Sequence, residues 1–130
     1  MSLVEIKHVE GRSFETLIRN HRLRIDLPEE MHGKNTGPTP PELFAASLAS
    51  CIGFYVLFYC EKKHLSPEGL KVDASFHKYI NPDRIGKISV RIQLPSLVTD
   101  EDKEGALKEA ERCIIHNTLC HKPEVKITLE

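Results

Sequence analysis

No stretch of this sequence gathers five or six charges of one sign, and eighteen basic residues nearly cancel nineteen acidic ones, leaving a formal charge of −1. A chain without a basic patch does not recruit nucleic acid or an anionic membrane by bulk electrostatics. The start, Met1 to Glu10, lacks the basic opening, apolar run and small-residue cleavage site of a secretory leader, so a cytoplasmic protein is expected. Four irregularly spaced cysteines are too few for the disulfide framework of a small secreted domain. Close ligand pairs of the Cys-x-x-Cys kind are also missing. Cys120 and His121 are the one tight pair, badly placed as neighbours on a helix, so no metal site is expected. Internal repeats and low-complexity tracts are absent as well.

What is present fits one domain over residues 1–130, long enough to bury roughly two-thirds of the surface its unfolded chain exposes. Val4, Ile6 and His8 alternate with polar neighbours, as does Phe14 to Ile18, which predicts a hairpin turning at Gly11 and Arg12. Arg22 to Leu27 predicts a third strand. Pro28 to Pro41 holds four prolines with Gly33, Asn35 and Gly37, a composition that propagates neither helix nor ladder bonds, and is expected to be a long loop. Thr39, Pro40, Pro41 and Glu42 then read as an N-cap, a proline-bearing first turn and a carboxylate at the positive end of a helix running to about His64.

Ser66 to Ile80 and Ile85 to Leu94 alternate around Asn81, Pro82 and Asp83, the pattern of a second hairpin. Thr99 or Asp100 is placed to cap a second helix, with Leu107, Ala110, Cys113 and Ile114 on one face. Pro123 stops that helix, and Val125 to Leu129 reads as a closing strand. Three strands, helix, two strands, helix, strand is an α+β order with mainly antiparallel pairing.

Leu43 to Cys60 is eighteen residues without a charge, which meets the lower limit for a membrane span. Ser47, Ser50, Gly53 and three alanines within it, and half-buried strand patterns elsewhere, favour a buried core helix. A helix of ~24 residues is roughly 36 Å long, more than a domain of this size surrounds with its own strands. A homodimer with this helix at the interface is therefore expected.

The same helix carries Cys51 and Cys60, nine residues apart, on opposite faces and about 13 Å apart along the axis. Cys113 and Cys120, seven apart, share a face but stand about 10 Å apart on a helix, beyond disulfide reach. Any pair within the chain must link the two helices, and spacing leaves both Cys51 with Cys113 and Cys51 with Cys120 open. A buried cytosolic cysteine with no partner is ordinarily a small core hydrophobe, and Cys60 fits that description.

The stretch Gly37-Pro-Thr-Pro-Pro-Glu-Leu-Phe-Ala-Ala-Ser-Leu-Ala-Ser-Cys51 resembles the signature of the OsmC/Ohr family, the osmotically induced and organic hydroperoxide resistance proteins. Glu111-Arg112-Cys113-Ile-Ile-His-Asn-Thr-Leu119 is similar to its second motif, and the element order matches over nearly the whole chain. The resemblance implies an intertwined homodimer with the long helices at its centre. It implies a redox pair in which Cys51 attacks an organic hydroperoxide and Cys113 resolves the product as a disulfide, reduced in turn by an external dithiol of the lipoyl type. Thiols carry this chemistry, with no cofactor.

An apolar helix disfavours the thiolate that such an attack needs, so a cation must compensate. Peroxidase members place an arginine in the first hairpin turn, matched here by Arg12, with Arg19, Arg22 and Arg24 as competitors. A glutamate holds that arginine ten residues before the cysteine, where this chain has Pro41; Glu42 stands nine before. Ile114 replaces a proline common after the resolving cysteine, and His116, one turn on, is placed to influence Cys113. These departures resemble the broader OsmC-like branch, which keeps a second reading in view: a non-catalytic or redox-sensing dimer that binds a small apolar ligand.

Overall fold

Three antiparallel strands in the order β1-β2-β3 open the chain in the computed structural model, which describes residues 2–94 and 98–130. They are β1 (Ile6–Glu10), β2 (Ser13–Ile18) and β3 (His21–Ile25). Register pairs Ile6 with Thr16 and Thr16 with Leu23, and His8 with Phe14 and Phe14 with Ile25, so these residues share one face. Lys7, Glu15 and Arg24 share the other. The turn falls at Gly11 and Arg12, as the alternation predicts. A register shift between His8 and Glu10 gives the hairpin its bend, and the Ser13 hydroxyl donates to the Glu10 carbonyl at 2.7 Å.

The proline-rich segment after β3 carries one turn of 3-10 helix, Glu29–Met31, and is anchored rather than loose. Buried Asp26 accepts the Leu27 N–H at 2.7 Å, the Thr36 N–H at 3.1 Å and the Thr36 hydroxyl at 2.6 Å. Gly33 and Gly37 pass so near the backbone carbonyls of Leu27 and Arg24 that a Cβ at either position would overlap them. With the first turn of α1 (Pro40–Lys62), these elements make up one compact unit, Met1–Phe44.

The second unit, Ala45–Glu130, holds the remainder of α1, the hairpin β4 (Lys71–Tyr79) and β5 (Arg84–Gln93), α2 (Asp100–Ala110) and α3 (Ile114–Cys120). Helix α1 buries the stripe Ala45, Leu48, Ile52, Val56 and Tyr59, spaced three and four residues apart. Val56 at 0% exposure is its centre, closed by Ala106, Ala110 and Cys113 and packed against Val72, Ile88, Val90 and Ile92 of the hairpin. By length and composition α1 passes for a membrane span, but this stripe makes it the core helix of an α+β fold.

Three expectations are corrected. Strand β4 begins at Lys71 rather than Ser66, because Pro67 and Gly69 (φ 88°) make a turn closed by the Leu70 N–H to the Pro67 carbonyl at 3.0 Å. The second helix is broken: Cys113, with ψ at 133°, leaves helical geometry, so α2 and α3 point different faces inward. Ala106 and Ala110 are buried while Leu107 and Ile114 are 54% and 67% exposed, against the single face predicted. Finally, Val125 to Leu129 pairs with no strand among the described residues. Those residues alternate as a strand does, yet Val125, Ile127 and Leu129 are 75%, 91% and 99% exposed.

Candidate functional site

Two capping boxes fix where the site helices begin. At α1 the Thr39 N–H donates to Glu42 Oε1 at 2.8 Å and the Glu42 N–H to Thr39 Oγ1 at 3.4 Å. At α2 the Thr99 hydroxyl accepts from the Asp102 N–H at 3.1 Å and the Asp102 carboxylate from the Thr99 N–H at 3.2 Å. Asp102 also accepts from the Tyr59 hydroxyl at 3.0 Å, which clamps α2 onto α1. Both carboxyls are held below their ordinary values, chiefly by those threonine N–H groups.

That clamp sets Cys113 against α1. Cys113 is fully buried and caps α3, its sulfur accepting the His116 N–H at 3.4 Å. Burial pushes its thiol up, and the neighbouring Cys51 thiol adds to this, while the N–H groups of His116 and Ile115 pull the other way. Cys51 itself is only partly buried, so one sulfur of the pair is shielded and the other reachable. Two facing free thiols can close a disulfide on losing two electrons. Of the two pairings that spacing left open, the fold brings together Cys51 and Cys113.

The other cysteines fall elsewhere. Cys60 lies in the core on the far face of α1, its thiol raised by burial and then by the charge of Asp102. Cys120 is exposed at the end of α3. Among the described residues no three His, Cys, Asp or Glu side chains converge as metal ligands. Phe54, Tyr55 and Phe58 stand on the side of α1 near Cys51, with Phe54 and Phe58 58% and 49% exposed. Leu48, on the same helix, lies in the core. An open apolar groove of about 500 Å³, lined by Ala46, Ala49, Ser50, Gly53, Phe54 and Leu57 among others, runs along α1 and shares Phe54 with that side.

Arg12 and Glu42 belong to the unit Met1–Phe44. Arg12 is exposed in the β1–β2 turn and forms no ion pair among the described residues; Glu42 is committed to capping α1. The arginine that is built into a network is Arg24, one of the competitors of Arg12 in the sequence. It donates to Glu10 at 3.0 Å, Glu15 at 3.3 Å, Ser13 Oγ at 3.0 Å and Thr36 Oγ1 at 2.9 Å. The cross-strand pair of Glu15 with Arg24 is the one part of that network that strand alternation could have suggested. His116 reaches Cys113 through its backbone N–H, while its ring turns toward Glu111 and Cys120.

A family model described as OsmC-like protein matches residues 33–130. No match is found among curated proteins. Among solved structures, a Psychrobacter arcticus protein assigned to the osmotic stress induced and detoxification response is 18% identical, with a TM-score of 0.83 over 91% of this chain and 88% of its own. An OsmC-like protein from Mycoplasma pneumoniae is 19% identical, with a TM-score of 0.75 over 93% of this chain and 89% of its own. An organic hydroperoxide resistance protein from Legionella pneumophila is 21% identical, with a TM-score of 0.65 over 93% and 91%. At these identities the likeness establishes a shared fold.

Proposed function

The chain belongs to the OsmC-like protein family, and on that premise we propose that it is a thiol-dependent reductase of organic hydroperoxides serving the oxidative stress response in the cytoplasm. The observation that carries this reading is the facing pair of a reachable Cys51 and a buried Cys113. The Cys51 thiolate attacks the terminal oxygen of ROOH, the O–O bond breaks and ROH leaves, with Cys51 as sulfenic acid. Cys113 then attacks the Cys51 sulfur, water leaves and a disulfide closes. An external dithiol, of the lipoyl type, takes over that disulfide and restores both thiols.

Apolar walls at Phe54, Tyr55 and Phe58 suit an organic substituent on the peroxide. Arg12 supplies the cation that favours the Cys51 thiolate, with Glu42 fixing the start of the helix that carries it. The active form is an intertwined homodimer of one OsmC-like domain per chain. A second copy accounts for the apolar residues that α1 and the segment after α3 leave exposed.

Peroxide consumption with a reduced lipoyl dithiol tests the cycle. Cys51→Ser abolishes turnover, while Cys113→Ser allows one oxidation that a sulfenic-acid reagent traps on Cys51. Turnover that survives Cys51→Ser overturns the proposal. Arg12→Ala slows the first oxidation by about tenfold or more if the cation is worth on the order of 1.4 kcal/mol to the transition state. The apolar groove along α1 favours a second reading, a dimer that binds a small apolar ligand. In that case a fluorescent acyl-chain probe binds equally to the protein and to Cys51→Ser, and failure to bind either excludes it.

A further inference from the structure

His116 is engaged at both ring nitrogens. Its Nδ1 lies 3.1 Å from the Glu111 carbonyl oxygen and its Nε2 3.6 Å from Cys120 Sγ. A carbonyl oxygen only accepts, so Nδ1 carries the ring hydrogen and Nε2 presents its lone pair to the Cys120 S–H. A nucleophile and a base within reach thus stand on one face of α3, four residues apart, and the Glu111 carbonyl at the end of α2 orients the base. Of the four thiols, Cys60 and Cys113 are buried and Cys51 partly so, whereas Cys120 is exposed.

The location sharpens the role of the histidine. Cys120 ends α3, and His116 Nε2 is the acceptor that lies beside its sulfur. Reactivity there depends on His116 taking the proton. Cys113, which caps the other end of the same helix, is about 10 Å away, beyond disulfide reach. The partner of Cys120 must come from outside.

We propose that Cys120 and His116 form a second thiol site, separate from Cys51 and Cys113, at which Cys120 takes up half of a small exposed disulfide of the oxidised-glutathione class. The Cys120 proton passes to His116 Nε2 and the sulfur attacks one sulfur of the disulfide RSSR. The S–S bond breaks, the mixed disulfide Cys120–S–S–R forms, and the departing RS⁻ takes the proton back from His116 to leave as RSH. The site requires no oxidant beyond the disulfide itself.

Reduced protein mixed with oxidised glutathione, followed by peptide mapping by mass, tests this. The expected result is one glutathionyl group on Cys120 before Cys60 or Cys113, at a rate about tenfold or more below wild type in His116→Ala and unchanged in His121→Ala. An unchanged rate in His116→Ala, or an equal slowing in His121→Ala, overturns the dyad. Should His116→Ala not fold, the wild-type rate at Cys120 is compared with that of the urea-unfolded chain; a folded rate no higher overturns it too. Cys120→Ser is expected to leave hydroperoxide-driven oxidation of Cys51 and Cys113 intact, and its loss would place Cys120 in the main site instead of a second one.

Discussion

Asp26 is a carboxylate removed from water and satisfied by three donors, the Thr36 hydroxyl foremost, which together lower it from its ordinary 3.8 to about 2. The folded chain therefore takes up this proton at lower pH than the unfolded chain does. The stabilisation is complete above about pH 4 and fades as the pH falls toward 2. A melting curve recorded at successive pH values should show Tm dropping through that window; Asp26→Asn should melt lower at neutral pH and lose this part of the acid dependence. An Asp26→Asn curve parallel to wild type throughout would contradict the assignment. Neither Asp26 nor Arg24 could be understood from sequence, because each finds Thr36 across a loop whose path alternation does not predict. Cys51 and Cys113 were half legible. Helix spacing excluded Cys60 as partner but left Cys120 open, and only the break at Cys113 distinguishes a buried cap from an exposed end.

Elements were predictable where caps and breakers stood in the sequence. Thr39 and Thr99 start α1 and α2 as read, and Thr39→Ala should cost about 1 kcal/mol, measured by urea unfolding. The break between α2 and α3 could not be read, since no proline or glycine marks Arg112 or Cys113; the packing of α2 on α1 produces it. Gly105 packs directly against Tyr59 of α1, for a Cβ there would lie 2.6 Å from Tyr59 Cε2 and 2.7 Å from its hydroxyl. Gly105→Ala should therefore push Tyr59 off Asp102 at a cost of about 1–3 kcal/mol, offset in part by the roughly 1 kcal/mol that alanine gains as a helix former, for a net destabilisation. An unchanged urea midpoint would show that α2 can shift freely against α1. The segment Val125 to Leu129 shows the opposite failure: its alternation correctly marks a strand-like residue pattern, but a strand also needs an edge to pair with, which sequence does not supply.

At the scale of the whole molecule, the apolar surface on α1 and on that last segment is what a second copy would cover. Analytical ultracentrifugation should give twice the chain mass, and Phe54→Glu with Phe58→Glu should shift the population toward monomer; a wild-type monomer at micromolar concentration would remove the homodimer from the account. The α+β order was legible in the apolar patterning and the family in two motifs around Cys51 and Cys113, whereas the pairing of those cysteines came from resemblance and rests in the structure on the buried Cys113 having Cys51 as its neighbour. The central claim is that these two sulfurs form a working redox couple. Reduced protein treated with one equivalent of an organic hydroperoxide and mapped by mass should yield a Cys51 to Cys113 disulfide within the chain; recovery of both as free thiols, or linkage of Cys51 to any other cysteine, would contradict it.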